Sequence, residues 1–373
     1  MIVLQLSDLH LSRYGESKIW TEKADDDGRE WTALQRWKRW QIEGCRDKKD
    51  RPDDLRLVDP EGVIHKVRGW PSRKEDKAIA ALLSIAMERH QTSAERLVKR
   101  RPSPEDLEAM IRVDPDNTNL RFLRLVDRIN EIGPDVLLLT GDTTDNGFGY
   151  GLVAHYLSPW IQAGRFFVVP GNHDTYDMFP RRGRAKRVER KEETYLEFAK
   201  KVGLAPEEHG AYVRLMMGDV IVVGLNSCDM PRTWLSASGA VSTEQLEWLA
   251  ELAREPEFQR ARHRVALLHH HLLRMPFTVG KRNPIEAGMR LRNAVKTVQA
   301  LTDAGIDVVF NGHRHQGYLV KLPGRPMVVS GPSSTLGCKT YGSCYGWSID
   351  LEDDQPLPQM VDLPGRSRTG TFK

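Results

Sequence analysis

Little in this sequence belongs to a secreted or membrane-spanning protein. Cysteine is scarce: Cys45, Cys228, Cys338 and Cys344 are too few and too scattered for a disulfide framework, and no pair has zinc-finger spacing. A reduced, cytoplasmic setting is therefore expected. No apolar run approaches the roughly 18 residues a membrane span needs, so no membrane partner is expected. The opening MIVLQLSDLHLS lacks a basic region and is broken by Gln5, Ser7 and Asp8, so it reads as a buried first strand and not as a leader. Internal repeats and low-complexity tracts are missing, which excludes a solenoid. Charge of one sign is not in excess either: 55 basic against 51 acidic residues leave a net charge of +4. That is a weak pull toward phosphate-bearing partners and settles nothing by itself.

What is present suits a layered globular core. Hydrophobic residues make up 40% of the 373, enough for a sizeable interior. Short β-prone apolar runs recur at 2–6, 136–139, 166–169, 220–225, 265–268, 308–310 and 327–329. Each has the length of a strand buried on both faces. Amphipathic helices are predicted between several of them. One covers 119–132, with Phe122, Leu125, Val126 and Ile129 on one stripe and Gly133-Pro134 as the stop. Others cover 242–254, capped by Ser242 or Thr243, and 287–304, ending at Gly305. Alternating strands and helices predict an α/β layered fold.

Residues 13–117 break that rhythm. They are dense in charge of both signs and carry Trp20, Trp31, Trp37, Trp40 and Trp70. A hairpin is predicted over 55–67 about Pro60-Glu61-Gly62, and a helix after the Ser72/Glu75 capping box. This stretch is read as an inserted, mostly helical subdomain between two parts of the core, 1–12 and 118–350. Trp31, Leu34 and Trp37 at helical spacing suit a small satellite core. Because the insertion roots beside the first strand end, a cap over that end is the sharper expectation. Residues 351–373 read as a loose tail.

The chemistry gathers where the apolar runs stop. Asp8 and His10 follow the first. Gly141, Asp142 and Asp145 follow the second, and Gly171-Asn172-His173-Asp174 the third. His269-His270-His271 and Gly312-His313-Arg314-His315 follow two later ones. In α/β sheets, groups at the carboxyl ends of strands converge on one crevice. Carboxylate, amide oxygen and imidazole together suit Mn, Fe or Zn better than Mg or Ca. Residues two apart on extended backbone point the same way, so both members of D-x-H and of H-x-H are expected to reach one site. The preceding glycines permit close backbone approach. Singly, each motif is common by chance; five in this order are not.

This series, D-x-H, G-D-x-x-D, G-N-H-D, H and G-H-x-H, resembles the calcineurin-like metallophosphoesterase superfamily over 1–12 and about 118–350. The resemblance implies two packed mixed β-sheets flanked by helices. It also implies two divalent metal ions and hydrolysis of phosphate esters by in-line attack of a bridging hydroxide. One ion would take Asp8, His10 and His315. The other would take Asn172, His269 and His313, with Asp142 bridging both. His173 would be no ligand; it would stabilise the transition state or protonate the leaving oxygen, oriented by Asp145. Among the three consecutive histidines, the family pattern selects His269.

Asn146 and Asp174 depart from the protein Ser/Thr phosphatase pattern, and His173 departs from the lipid A pathway pyrophosphatases, which carry Arg there. The remaining resemblance is to bacterial cyclic-nucleotide-type phosphodiesterases, with Ser330–Thr335 and Tyr345–Ile349 as closing segments. A small phosphate ester or nucleotide is the expected substrate, and a homo-oligomer is compatible with it. The alternative is a DNA nuclease of the recombination-repair type, for which Arg181, Arg182, Arg184, Lys186 and Arg187 would track a phosphate backbone. Glu189, Glu192 and Glu193 follow at once, so a solvated helix face is the preferred reading of that run. A binding scaffold with a dead site is disfavoured, because every ligand position is filled.

Overall fold

The computed structural model describes residues 1–12, 15, 55–58, 64–67, 92–114, 117–145, 147–176, 192–204, 206–207, 209–216, 219–229, 237–273, 288–337, 344–353 and 356–362. Its strands are β1 (Ile2–Leu6), β2 (Leu55–Val58), β3 (Ile64–Val67), β4 (Val136–Leu139), β5 (Phe166–Val168), β6 (Tyr212–Met216) and β7 (Val220–Gly224). They continue with β8 (His263–Leu267), β9 (Val308–Asn311), β10 (Tyr318–Val320), β11 (Met327–Ser330), β12 (Cys344–Asp350) and β13 (Gln359–Asp362). The helices are α1 (Ala94–Lys99), α2 (Pro104–Val113), α3 (Thr118–Ile132), α4 (Tyr150–Tyr156) and α5 (Ser158–Gln162). Then come α6 (Asn172–Thr175), α7 (Glu192–Lys201), α8 (Thr243–Leu252), α9 (Pro256–Arg260) and α10 (Ala294–Asp303).

Two mixed sheets form the centre. One runs β13-β12-β1-β4-β5, with β1, β4 and β5 parallel, β12 antiparallel to β1 and β13 antiparallel to β12. The other runs β10-β11-β9-β8-β7-β6, with β7, β8, β9 and β11 parallel and both edges antiparallel. Strand periodicity explains how they stack. Val222, Val265, Leu267, Val308 and Phe310 face inward and share one core with Val3, Val136, Leu138 and Phe167 of the first sheet, whose inward face is marked by Gln5 donating to the Asn311 carbonyl and Phe167 stacking on Tyr212. The residues between them, Ile221, Val223, Ala266, Leu268 and Val309, face the other way and pack beneath Leu249 of α8 and Leu301 of α10. The outer side of the first sheet is covered by Phe122, Leu125 and Ile129 of α3. The result is the α/β arrangement of two mixed sheets flanked by helices.

Local chemistry sets the helix bounds. Asn117 caps α3 by accepting from the Leu120 N–H, and Gly133 ends it in the left-handed region at φ 59°. Ser242 caps α8 in the same way. The helix predicted from 287 starts only at Ala294, because Asn293 gives its side chain to the Val241 backbone and not to the helix.

Two boundaries differ from expectation. The stretch 13–117 is not separate throughout: Ala94 and Leu97 of α1 and Leu107 and Ile111 of α2 are buried in the main core. Asn119 fixes the junction, donating to the carbonyls of Ser12 and Thr92. The tail read from 351 contains β13, which extends the first sheet and buries Val361. The hairpin appears as β2 and β3. The turn at Pro60, the helix after Ser72, the tryptophans at 20–70 and the basic run 181–187 lie outside the described residues.

The two-sheet core predicts a large stability cost at its centre. Leu267→Ala should lower unfolding free energy by about 2–5 kcal/mol. The exposed Val295→Ala should change it by no more than about 0.5 kcal/mol. Equilibrium urea unfolding followed by circular dichroism measures both.

Candidate metal centre

Five parallel strands, β1, β4, β5, β8 and β9, deliver their following loops to one end of the sandwich. Asp8, His10, Asp142, Asp145, Asn172, His173, His269, His313 and His315 are all buried there. The structure brings every one of these sequence-predicted residues together. His10 Nε2 lies 2.8 Å from His315 Nε2, and His315 Nε2 lies 3.4 Å from Asp8 Oδ1. His269 Nε2 lies 3.0 Å from Asn172 Oδ1, 3.1 Å from His313 Nδ1 and 3.4 Å from Asp142 Oδ2. Asp142 Oδ2 is also 4.0 Å from His10 Nε2, so its carboxylate lies between the two groups. Three sets have ligand atoms within 4.8 Å of one another: Asp8, His10 and His315; His10, Asp142 and His173; and Asp142, His269 and His313.

The loops reach this geometry through backbone that sequence spacing did not anticipate. Asp8, His10, Asp142, His313 and His315 have φ of 50°, 49°, 50°, 77° and 51°, and no other described non-glycine residue has positive φ. The D-x-H and H-x-H pairs are therefore not extended. Their side chains converge because left-handed kinks turn them inward, at a cost that recurs where neighbours over-determine the conformation. Those neighbours are visible. Ser333 Oγ donates to the Asp8 carbonyl at 2.7 Å and Thr335 Oγ1 to the Leu9 carbonyl at 2.9 Å. Thr118 Oγ1 donates to the His10 carbonyl at 2.9 Å, while Arg121 holds the Thr335 carbonyl at 2.8 Å. Asp8 in turn accepts from the His313 N–H at 3.1 and 3.0 Å, and from the Ser7 hydroxyl. Asp174 accepts from the N–H groups of Thr143, Thr144 and Gly171 and from the Tyr150 hydroxyl, tying the second and third loops into one unit.

Hydrogen bonds fix the imidazole tautomers. His269 Nδ1 lies 2.8 Å from the Thr140 carbonyl oxygen, which can only accept, so Nδ1 carries the proton and Nε2 presents a lone pair to the cluster. His10 Nδ1 lies 2.7 Å from Asp145 Oδ1, which leaves His10 Nε2 facing His315 in the same way. With both rings neutral, lone pairs and carboxylates would thus face one another at 2.8–3.4 Å. Burial opposes charging of either imidazole. The carboxylates of Asp145, Asp142 and Asp8 overcome it at His10, and those of Asp142 and Asp8 at His269, pushing each up to about 9. His313 moves the other way, well below the usual range, through burial and the neighbouring histidines. Burial works against the Asp142 carboxylate too, yet His269 and His173 hold it well below the usual range. The cluster calls for positive charge, and its nitrogen and oxygen donors fit divalent transition-metal ions.

The three consecutive histidines separate. His269 enters the cluster. His270 turns to Ser227 Oγ at 2.9 Å and the Ala237 carbonyl at 2.9 Å, and the His271 ring stacks 6.0 Å from that of His313. Asp145 differs from expectation in having two partners: besides His173 Nδ1 at 3.1 Å it holds His10, more closely. Thr140, Asp174, Ser333 and Thr335 were not assigned roles from sequence. Asp174 stood inside a recognised motif, whereas a backbone carbonyl such as that of Thr140 leaves no side-chain signal.

The family model for calcineurin-like phosphoesterases matches residues 117–317, more than half of the chain. The chain belongs to the calcineurin-like phosphoesterase family. Members of this family use a dinuclear metal centre, and the clusters above are able to hold metal ions. No curated protein matches the chain. Among solved structures, it is similar to a dimetal phosphatase from Danio rerio at 12% identity and TM-score 0.46, covering 66% of this chain and 87% of that one. A purple acid phosphatase, PPD1 from yellow lupin seeds, is 13% identical with TM-score 0.42, over 65% of this chain and 48% of that one. The phosphopantetheinyl hydrolase of Mycobacterium tuberculosis is 17% identical with TM-score 0.32, over 60% and 88%. None of these likenesses assigns a substrate. No helix among the described residues is long and apolar enough to cross a membrane.

Close backbone approach gives the site its sharpest steric prediction. A Cβ on Gly171 would lie 2.1 Å from Asp142 N and Oδ1, and one on Gly312 1.8 Å from Ser7 Oγ. Gly171→Ala should displace Asp142 and weaken Mn binding by tenfold or more. Competition against a chromogenic chelator measures this, with circular dichroism as the check on folding.

Proposed function

We propose that this phosphoesterase is a two-metal phosphodiesterase acting on a small phosphate ester or nucleotide. The observation that carries the reading is the convergence of buried imidazole lone pairs and carboxylates, in two adjoining groups sharing Asp142, at the strand ends. In this reading Asp8, His10 and His315 hold one ion and Asn172, His269 and His313 the other, with Asp142 between them. Mn, Fe or Zn suits the mixed nitrogen and oxygen set. When bound, such ions supply Lewis acidity toward the phosphoryl oxygens and activate a water as nucleophile. Asp145 and the Thr140 carbonyl orient His10 and His269 through their second nitrogens.

His173 has a different part. Its backbone N–H donates to Asp142 at 2.8 Å, and its Nδ1 faces Asp145. Asp145 thereby turns the other ring nitrogen toward the cluster, where an Nε2–H can stabilise charge on the phosphoryl group or protonate the leaving oxygen. Both roles use a proton at that atom, and the contact with Asp145 fixes the orientation of the ring. The full donor set argues against a non-catalytic scaffold. The diester preference rests on the family branch that the His173 and Asp174 motif resembles. A cytoplasmic setting rests on the scarce cysteines, of which Cys228 and Cys344 are buried and unbridged.

The test is activity of the metal-reconstituted protein on bis-(p-nitrophenyl) phosphate, p-nitrophenyl phosphate, cyclic nucleotides and single-stranded DNA. Faster turnover of the diester than the monoester is expected, and processive DNA degradation would replace this reading with a nuclease. Asp142→Ala should abolish metal pairing, by elemental analysis, together with activity. His173→Ala should keep its metal and lose about 10²–10⁴-fold in kcat.

Proton linkage gives an independent measurement. His10 and His269, both raised to about 9, hold protons at pH 7 in the metal-free chain. Cation binding must expel them, so affinity should rise with pH from 6 toward 9 and then level. Calorimetry at pH 7 in buffers of different ionisation enthalpy should show one proton released from each of the two histidines.

A further inference from the structure

Beside the metal centre the structure contains a cavity of about 610 Å³, a size suited to a small organic ligand. We propose that this cavity takes the organic arm of the ester, and that it selects arms with an apolar stem ending in a second anionic group. The proposal rests on the phosphoesterase reading above.

Position is the first argument. His271 lines the cavity, and its ring stacks at 6.0 Å and 17° on that of His313, a member of the metal cluster. One imidazole therefore separates the two spaces, and an ester held at the cluster has the cavity within reach of a short chain.

The lining is the second argument. Its floor is apolar, formed by Leu246, Leu272, Leu273 and Leu291. Its rim carries Arg290, Arg292 and Lys296, and the described lining holds no carboxylate. Arg292 is tethered to Asp229 and to Ser238 Oγ at 3.2 Å, so it supplies a fixed donor more than net charge. Arg290 and Lys296 have no ion-pair partner among the described residues, and they supply the charge. An apolar floor with cations at one side fits an arm that is greasy near the ester and anionic at its far end. A neutral arm would leave the cations unused, and a wholly polar arm would strand the leucines.

Rigidity is the third argument. The rim is built, not loose. Gly239 bridges Leu291, its N–H donating to the Arg290 carbonyl at 3.3 Å while its carbonyl accepts from the Arg292 N–H at 2.8 Å. Asn293 adds a two-way link to Val241, donating at 2.7 Å and accepting at 3.2 Å. Two separate loops thereby hold the arginines in register, so little ordering accompanies ligand entry.

The test uses two diesters read by p-nitrophenolate release, p-nitrophenyl hexyl phosphate and p-nitrophenyl 6-phosphohexyl phosphate. The wild-type protein should show a KM about tenfold lower for the second, the scale of one charge-assisted contact. Arg290→Glu and Lys296→Glu, both exposed positions, should each erase most of that preference. Calorimetric titration of the metal-free protein with hexane-1,6-diyl bisphosphate, against hexyl phosphate, reads the same discrimination without turnover. Discrimination without turnover would keep the subsite and overturn the phosphoesterase reading. Turnover of both esters with no preference, or charge reversals that leave the preference intact, would overturn the subsite and keep the enzyme.

Discussion

Unshared electron pairs facing one another in a buried space must be met by positive charge. That constraint organises the rest of this molecule. His269 is committed by the Thr140 carbonyl and His10 by Asp145, so each ring presents a bare nitrogen to its neighbours. Protons can answer the demand, as the raised affinities of both rings show. Divalent ions answer it more fully, because one ion satisfies several donors at once. The fold serves to hold these donors against their repulsion. Parallel strands from two sheets end together, and their loops are cross-linked by Asp174, Ser333 and Thr335.

The left-handed residues show where the folding energy is used. Five side chains of the cluster sit on backbone that ordinary residues avoid. Each non-glycine residue kept there costs stability, and the large two-sided core supplies the surplus. Gly171 and Gly312 do the complementary job: with no Cβ, they let the loops approach within distances no other residue permits.

Much of this was legible in the residues. The apolar runs at 2–6, 136–139 and 308–310 matched strands closely, because they are short, continuous and bounded by polar or glycine residues, as buried parallel strands are. That nine polar side chains would meet at one place was legible because carboxylates, an amide and imidazoles follow five such runs in turn. Other features were not. The inward turn of Asp8 and His10 was expected from extended alternation and arises from positive φ, which side-chain identity does not encode. β13 was read as tail because Pro356 and Pro358 beside it resemble a linker, and only its pairing with β12 makes it a strand. The junction at 92–114 was assigned to the insertion because its mixed charge hid a few buried leucines and an isoleucine.

One carboxylate links two tasks. Asp145 leans on His10, which the proposed reading places on the ion-binding side, and on His173, which it gives the proton. Negative charge given to one ring is shared with the other. The orientations of the two rings therefore cannot drift apart during evolution. A lineage that retunes this enzyme toward a poorer leaving group must move both through the same oxygen atom, or build a new anchor for one of them.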